Sequence, residues 1–244
     1  MVTGAGRGIG KAVALQLAQG GARVVLVARS IDQLNETADK VRELGGHAVA
    51  IPTDLSRMAE IARTVAHTNE VFGGVDILIN NAAVVAPLGP TGNIDPTAWA
   101  NALAVNVVAV AAFSVGFLPA MLERNWGRIV NVSSSIAARP DAMIGMNAYA
   151  ASKAALEAHT VNLAAEVAGS GVTVNAYRPG SVDTAMQAWI RAQDPERIGR
   201  ELHGWFTASF ASGQLMTPEE SARSLLSHLF SEDSGRVWDV SDHV

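Results

Sequence analysis

The strongest constraint on this chain is a set of short runs that are apolar at successive positions. Arg23–Ala28, His47–Pro52, Asp76–Asn80, Gly127–Ser133 and Val172–Tyr177 are rich in β-branched residues and read as strands. Such strands have no wet face, so both sides must be covered. The intervening segments supply the cover. Helical periodicity runs over Gly8–Gln19, Ile31–Leu44, Arg57–Phe72, Thr97–Leu118 and Ala148–Ala168, and several of these stop at glycine, as at Gly20, Gly45, Gly73 and Gly169. Strand and helix in rotation require right-handed crossovers, and the class that satisfies them is α/β with a doubly wound parallel sheet. A further helix is expected over Pro218–Leu229, capped by Thr217, and a last strand over Arg236–Val240. No low-complexity linker interrupts the 244 residues, so 1–244 reads as a single domain.

Charge and composition narrow the partners. A net charge of −5 without a Lys/Arg cluster argues against nucleic acid. The absence of cysteine removes thiolate chemistry, and no His/Asp/Glu grouping has metal-ligand spacing, so no metal site is assigned. No apolar run reaches the roughly 18–20 residues of a membrane span, so no membrane partner is expected. No export signal is visible, and a cytoplasmic location is the expectation.

The chain opens Met1-Val2-Thr3-Gly4-Ala5-Gly6-Arg7-Gly8-Ile9-Gly10. A glycine-rich turn leading into a helix offers free N–H groups and the positive end of the helix dipole to a pyrophosphate. A strand follows and ends at Ala28-Arg29-Ser30, where an acidic residue would bind a ribose 2′-hydroxyl. Arg29, with Arg7 nearby, suits a 2′-phosphate instead, which favours NADP(H) while leaving NAD(H) possible. Asp54 with Leu55 follows the third strand, and Asp54 suits either an adenine contact or a cap on the next helix. Tyr149 and Lys153 lie four apart in a helical pattern and share a face. A free phenol has a pKa near ~10, and a neighbouring cation is expected to bring it toward its working range. Ser133, Ser134 and Ser135 sit at the carboxyl end of an apolar strand, where open α/β sheets bind ligands.

T-G-x-x-x-G-x-G, N-N-A, Ser, Y-x-x-x-K and P-G occur in this order, and as a set they resemble the short-chain dehydrogenase/reductase family over residues 1 to about 240. The resemblance implies a Rossmann-type fold and a Ser–Tyr–Lys–Asn tetrad. Gly4, Gly8 and Gly10, with Arg7 and Ile9, would surround the pyrophosphate. Asn81 and Ala82 would flank the adenosine side, and Pro179, Gly180, Val182 and Thr184 would meet the nicotinamide. Asn106 would bend its helix around a water, Ser134 aligns best with the catalytic serine, and Tyr149 and Lys153 match the acid–base pair. The implied reaction is hydride transfer between nicotinamide and a ketone, aldehyde or secondary alcohol. Alternatives are a 3-oxoacyl-[acyl-carrier-protein] reductase, which needs a basic docking patch not evident here, and a dinucleotide sensor without turnover. Ala-rich stretches 97–118 and 148–168 match the family's interface helices and imply a homodimer or homotetramer.

The chain also departs from the family. Only Met1-Val2 precede Thr3, so the first strand is expected to be truncated, with the natural start upstream and folding or cofactor binding weakened if it is not. Ala83 stands where a Gly is usual, and the Ser–Tyr segment is about two residues longer than in many relatives. The ending "GRVWDVSDHV" replaces a glycine-rich tail. Residues 185–216 are expected to form a substrate lid, with Met186, Trp189, Trp205, Phe206, Phe210 and Met216 as an apolar lining; His203 is expected to be structural or solvated rather than catalytic.

Overall fold

The computed structural model describes residues 1–242. Its seven strands form one parallel sheet: β1 Val2–Thr3, β2 Arg23–Ala28, β3 His47–Pro52, β4 Ile77–Asn80, β5 Gly127–Val132, β6 Val172–Arg178 and β7 Val237–Asp239. The order β3-β2-β1-β4-β5-β6-β7 reverses direction between β1 and β4, the switch point where open sheets bind ligands. Successive strand residues face opposite layers. Leu26, Ile79 and Val130 join α1 (Gly8–Gln19), α2 (Ile31–Glu43) and a late helix, Pro218–His228, in one core layer. Val25, Leu78 and Ile129 join the other layer, with α3 (Met58–Phe72) and the long helices described next. This is the doubly wound architecture expected from the runs without a wet face.

The central strand is short, as expected, but it is fully integrated. Val2 pairs with Leu26 and Ile79, and Thr3 with Val27. The ladder continues to Met1, whose carbonyl accepts from the Ile79 N–H at 2.9 Å.

The stretch expected as one helix over 97–118 is more complex. It begins as α4 (Pro96–Leu103), capped by Asp95, passes through a wide π-type turn at Ala104–Val108, and continues as α5 (Ala109–Glu123). Together these make 28 helical residues with a mean hydropathy of 2.1 in the most apolar window, long and apolar enough to cross a membrane. The expectation that no run reaches that length is therefore corrected. The apolar inner face has a different explanation: Ala102, Val105, Ala109, Phe113, Phe117 and Met121 are buried, most of them in the core layer shared with α3 and β5. The outer face leaves Val108, Val115 and Leu122 exposed.

Helix α6 (Asn147–Glu166) packs against α4 and the wide turn, and buried amides fix it to the sheet. Asn80 Nδ2 donates to Asn131 Oδ1, and Asn131 Nδ2 donates to Thr160 Oγ1, both at 2.9 Å. After β6 come three short helices, α7 (Ala185–Arg191), α8 (Pro195–Ile198) and α9 (Arg200–Ala211), and then α10 (Pro218–His228), opened by a Thr217–Glu220 capping box.

The two faces of α5 give a direct test. Phe117→Ala removes a buried ring stacked on Phe113 and is expected to cost about 3–5 kcal/mol in urea denaturation. Val115→Ser on the open face is expected to stay within about 0.5 kcal/mol.

Candidate active site

The turn between β1 and α1 is held by the residue before its first glycine. Thr3 Oγ1 accepts from the N–H groups of Asn81 and Ala82 at 3.0 and 3.1 Å, and Asn81 Nδ2 donates to the Thr3 carbonyl at 3.0 Å. This clamps the ends of β1 and β4 together at the switch point. Gly4 (φ +67°) leaves no room for a side chain, since a Cβ would lie 2.8 Å from Asn81 Nδ2. Gly10 corrects the sequence reading. It lies outside the cleft, and a Cβ there would be 2.4 Å from both the Gly4 carbonyl oxygen and Asn81 Nδ2. Its bareness lets α1 pack on the turn, rather than making room for a ligand.

A cleft of about 540 Å³ crosses the carboxyl edge of the sheet. At one end Gly4, Arg7, Gly8 and Ile9 line it, joined by Arg29 after β2 and by Asp54 and Leu55 after β3. No side chain caps the start of α1, so its first N–H groups face the cleft without a protein acceptor from that position. Arg7 and Arg29 are exposed and form no ion pair among the described residues. A backbone cradle with two uncommitted guanidinium groups suits a polyanion carrying a terminal phosphate. Asp54 does not cap the next helix, whose N-cap is Arg57 without a side-chain bond; it braces the loop before that helix. It lines the cleft, and its Oδ1 accepts from Ser56 N and Oγ at 3.0 and 2.8 Å, which holds its carboxyl below the usual range.

Mid-cleft, Asn81, Ala82, Ser134, Tyr149 and Lys153 converge, with Pro179, Gly180, Val182 and Thr184 from the loop after β6 opposite them. The three serines are separated by their partners. Ser133 Oγ donates to Glu157 at 2.7 Å and is committed, and Ser135 is exposed. Ser134 stands beside the Tyr149 phenol and stabilises its ionised form, and its Oγ also accepts from Ile136 N at 3.4 Å. Lys153 is buried, 2% exposed, with Nζ donating to the Val132 carbonyl at 2.7 Å and lying 5.6 Å from the centre of the Tyr149 ring.

The electrostatics differ from the sequence expectation. Burial pushes the phenol up to about 12, with Ser134 pulling the other way, and Lys153 is not what sets its level. Burial also lowers Lys153 to about 8, against the charge of Glu157. The desolvation of both groups outweighs the attraction that spacing suggested.

Asn106 is fully buried inside the wide turn and does not reach the cleft. Its Oδ1 accepts from Val84 N, while Nδ2 donates to Val84 O and, at 3.0 Å, to Ser152 Oγ beside Lys153. It therefore ties the strand-end loop to α6.

One ion pair went unread in the sequence. Arg178 binds Glu157 through two parallel bonds, Nε to Oε1 at 2.9 Å and Nη2 to Oε2 at 2.8 Å. Glu157 sits one helical turn past Lys153, and Arg178 immediately precedes Pro179. Their separation of 21 residues crosses a strand and a helix, so no local periodicity could reveal the pair.

Of the apolar residues expected at the mouth, Met186, Trp205 and Phe206 line the cleft. Trp189, Phe210 and Met216 do not. Phe210 instead lies under the Arg191 guanidinium, and Met216 bridges to Val182 through its backbone. The His203 ring bonds the Arg191 carbonyl, a structural position.

The sequence model of the short chain dehydrogenases matches residues 1–195. The chain belongs to the short-chain dehydrogenase/reductase family. It is thus an oxidoreductase of the NAD(P)-dependent type. The short-chain reductase protein NovJ of Streptomyces niveus is 36% identical over 249 residues, spanning 100% of this chain and 91% of that one. The solved actinorhodin polyketide ketoreductase, crystallised as a variant with NADPH, is 32% identical with a TM-score of 0.86, covering 98% of this chain and 94% of that one. L-Sorbose reductase from Gluconobacter frateurii, complexed with NADPH and L-sorbose, is 27% identical with a TM-score of 0.86, covering 98% and 92%.

Glu157→Ala leaves Arg178 partly buried without its fork partner. It is expected to cost about 2–4 kcal/mol in chemical denaturation, with most of the loss recovered in Glu157→Ala/Arg178→Met.

Proposed function

We propose that the chain is an NADP(H)-dependent reductase or dehydrogenase of ketones, aldehydes or secondary alcohols. The observation that carries this is the convergence of Ser134, Tyr149 and the buried Lys153 in a cleft continuous with the glycine turn. A pyrophosphate suits Gly4, Gly8 and the N–H groups opening α1, and a 2′-phosphate suits Arg29 and Arg7. The segment Pro179–Thr184 is suited to the nicotinamide side. Bound there, the dinucleotide supplies or accepts the hydride.

The protein's own residues handle the oxygen and its proton. The Ser134 hydroxyl donates to the carbonyl oxygen as negative charge develops on it. Tyr149, held protonated by burial, gives up its proton to that oxygen in reduction and takes it back in oxidation. Lys153 supplies positive charge beside the ring as the phenol ionises, which favours the phenolate at that moment. Asn106, through Ser152 and Val84, fixes the position of α6 relative to the strand ends. The helices α7–α9 act as the lid.

The exposed apolar outer faces of α5 and α6, with Val115 and Val161 open, support assembly of like chains through these helices. A cytoplasmic setting fits this chemistry. A non-catalytic sensor gains no support from a committed proton-transfer pair.

Tyr149→Phe is expected to retain NADPH binding by fluorescence while losing about a thousandfold or more in carbonyl-dependent NADPH oxidation. Unchanged turnover would reject the mechanism, and loss of binding would reject the placement of the cofactor. Arg29→Asp removes a charge-assisted contact and adds repulsion. It is expected to raise KM for NADPH about 10–100-fold while leaving or lowering KM for NADH. An equal change for both coenzymes would assign Arg29 to the fold instead.

A further inference from the structure

The cleft is strongly asymmetric along its length. Among the described residues that line it, the charged side chains are Arg7, Arg29, Asp54 and Lys153. The first three follow β1, β2 and β3, all on one side of the switch point. Lys153 is almost wholly buried and its ammonium is held by the Val132 carbonyl. Past Tyr149 the wall changes character. Val85, Ile136, Met146, Ile190 and Phe206 belong to one continuous apolar cluster, and Met143, Met186 and Tyr149 itself pack against it. This cluster draws on the loop after β4, the Ser–Tyr segment, the start of α6 and the helices α7 and α9. Trp205 lines the same end, set edge-to-face on Phe206 with ring centroids 4.8 Å apart. The amides Asn101 and Gln187 are the polar side chains that α4 and α7 bring there.

We infer that the substrate is an uncharged, predominantly apolar ketone, or its secondary alcohol, whose hydrocarbon or aromatic body lies against this cluster. The inference rests on the oxidoreductase reading and adds the substrate class. A carboxylate or phosphate on the substrate would find no counter-charge beyond Tyr149. A polyhydroxy chain would fare little better. Asn101, Gln187 with its unpartnered Oε1, Ser135 and Ser181 are too few to pair a hydroxyl on every carbon, and each hydroxyl buried unpaired costs roughly five- to a hundredfold in binding. An apolar body gains instead about three- to fourfold per methylene removed from water, until the cluster is filled. The structural similarity to L-sorbose reductase does not carry its substrate over to this chain, because a shared fold does not fix the chemistry of a site.

The test uses the full chain with NADP(H) and two uncharged ketones of similar size, 4-phenyl-2-butanone and L-sorbose. Binding of each is measured by calorimetry with NADP+ present, with the L-sorbose constants referred to its open-chain keto fraction, and turnover is measured separately by NADPH oxidation. The phenyl ketone is expected to bind about a hundredfold more tightly and to show a kcat/KM higher by at least that factor. Met186→Gln, which keeps the volume but makes the wall polar, and Trp205→Ala, which is half exposed and outside the packed cluster, are each expected to weaken phenyl ketone binding about tenfold. Equal binding of the two ketones, or a preference for L-sorbose, overturns the substrate class and leaves the oxidoreductase reading intact. Preferential binding of the phenyl ketone without turnover of either compound upholds the class and counts against the catalytic reading. Unchanged binding in both variants overturns the assignment of this wall.

Discussion

The site depends on keeping an ammonium group out of water. Lys153 is almost fully buried, and its compensation comes from the Val132 carbonyl and from Glu157 one helical turn away. Its pKa falls from 10.5 to about 8, so the folded state holds the proton less firmly than the unfolded chain. The sign of the consequence is fixed. Below pH 8 the buried charge opposes folding in full, and the opposition is relieved as pH rises from about 8 toward 10.5. At neutral pH the residue is a cost carried by the rest of the molecule, chiefly the two apolar layers on either side of the sheet. A charge that opposes folding persists in a structure when something else requires it.

Glu157 connects that charge to the rest of the site. Its carboxylate accepts from Ser133, the residue before Ser134, and from Arg178, the residue before Pro179. One side chain on α6 thus holds the end of β5, the end of β6 and, through the helix, Lys153. Asn106 performs a parallel task on the other side by joining the loop after β4 to Ser152. Displacements of about 1 Å at a reacting group are costly in rate. Here neighbouring hydrogen bonds limit such displacement from two directions, and neither tether touches the reacting atoms.

Much of this was legible in the sequence because it is local. Strands buried on both faces show as continuous apolar runs, and the runs ending at Ala28, Pro52 and Asn80 match the observed strands at their carboxyl ends, where the site lies. The grouping of Ser134, Tyr149 and Lys153 followed from motif order, and the Ser133–Glu157 bond with the exposure of Ser135 then set Ser134 apart from its two neighbours. What stayed hidden has a common cause. Gly10 read as a ligand contact because spacing cannot tell which atoms a missing Cβ would meet, and those atoms prove to be the protein's own. The Glu157–Arg178 fork joins residues from separate elements. The wide turn at Ala104–Val108 leaves the apolar pattern continuous, so periodicity gave one helix over 97–118, and only the family resemblance pointed to a bend at Asn106. The phenol's pKa was misjudged for the same reason: desolvation is a property of the assembled site, and a four-residue spacing carries no information about it.

The apolar wall beyond Tyr149 has two consequences with one origin. It leaves that end of the cleft without charged side chains among the described residues, and it removes water from around the phenol. The second effect raises Tyr149 to about 12, which keeps the proton on the oxygen throughout the neutral range. A protonated phenol beside Ser134 is the form that reduction of a carbonyl requires, whereas oxidation requires the proton to leave first. The attraction of Lys153 opposes the wall, and it becomes strong only as negative charge forms on the ring 5.6 Å away. On the proposed mechanism the residues stabilise the neutral acid at rest and its anion at the moment of transfer. Interactions that strengthen as the charge develops lower a barrier, and equal stabilisation of both states would not.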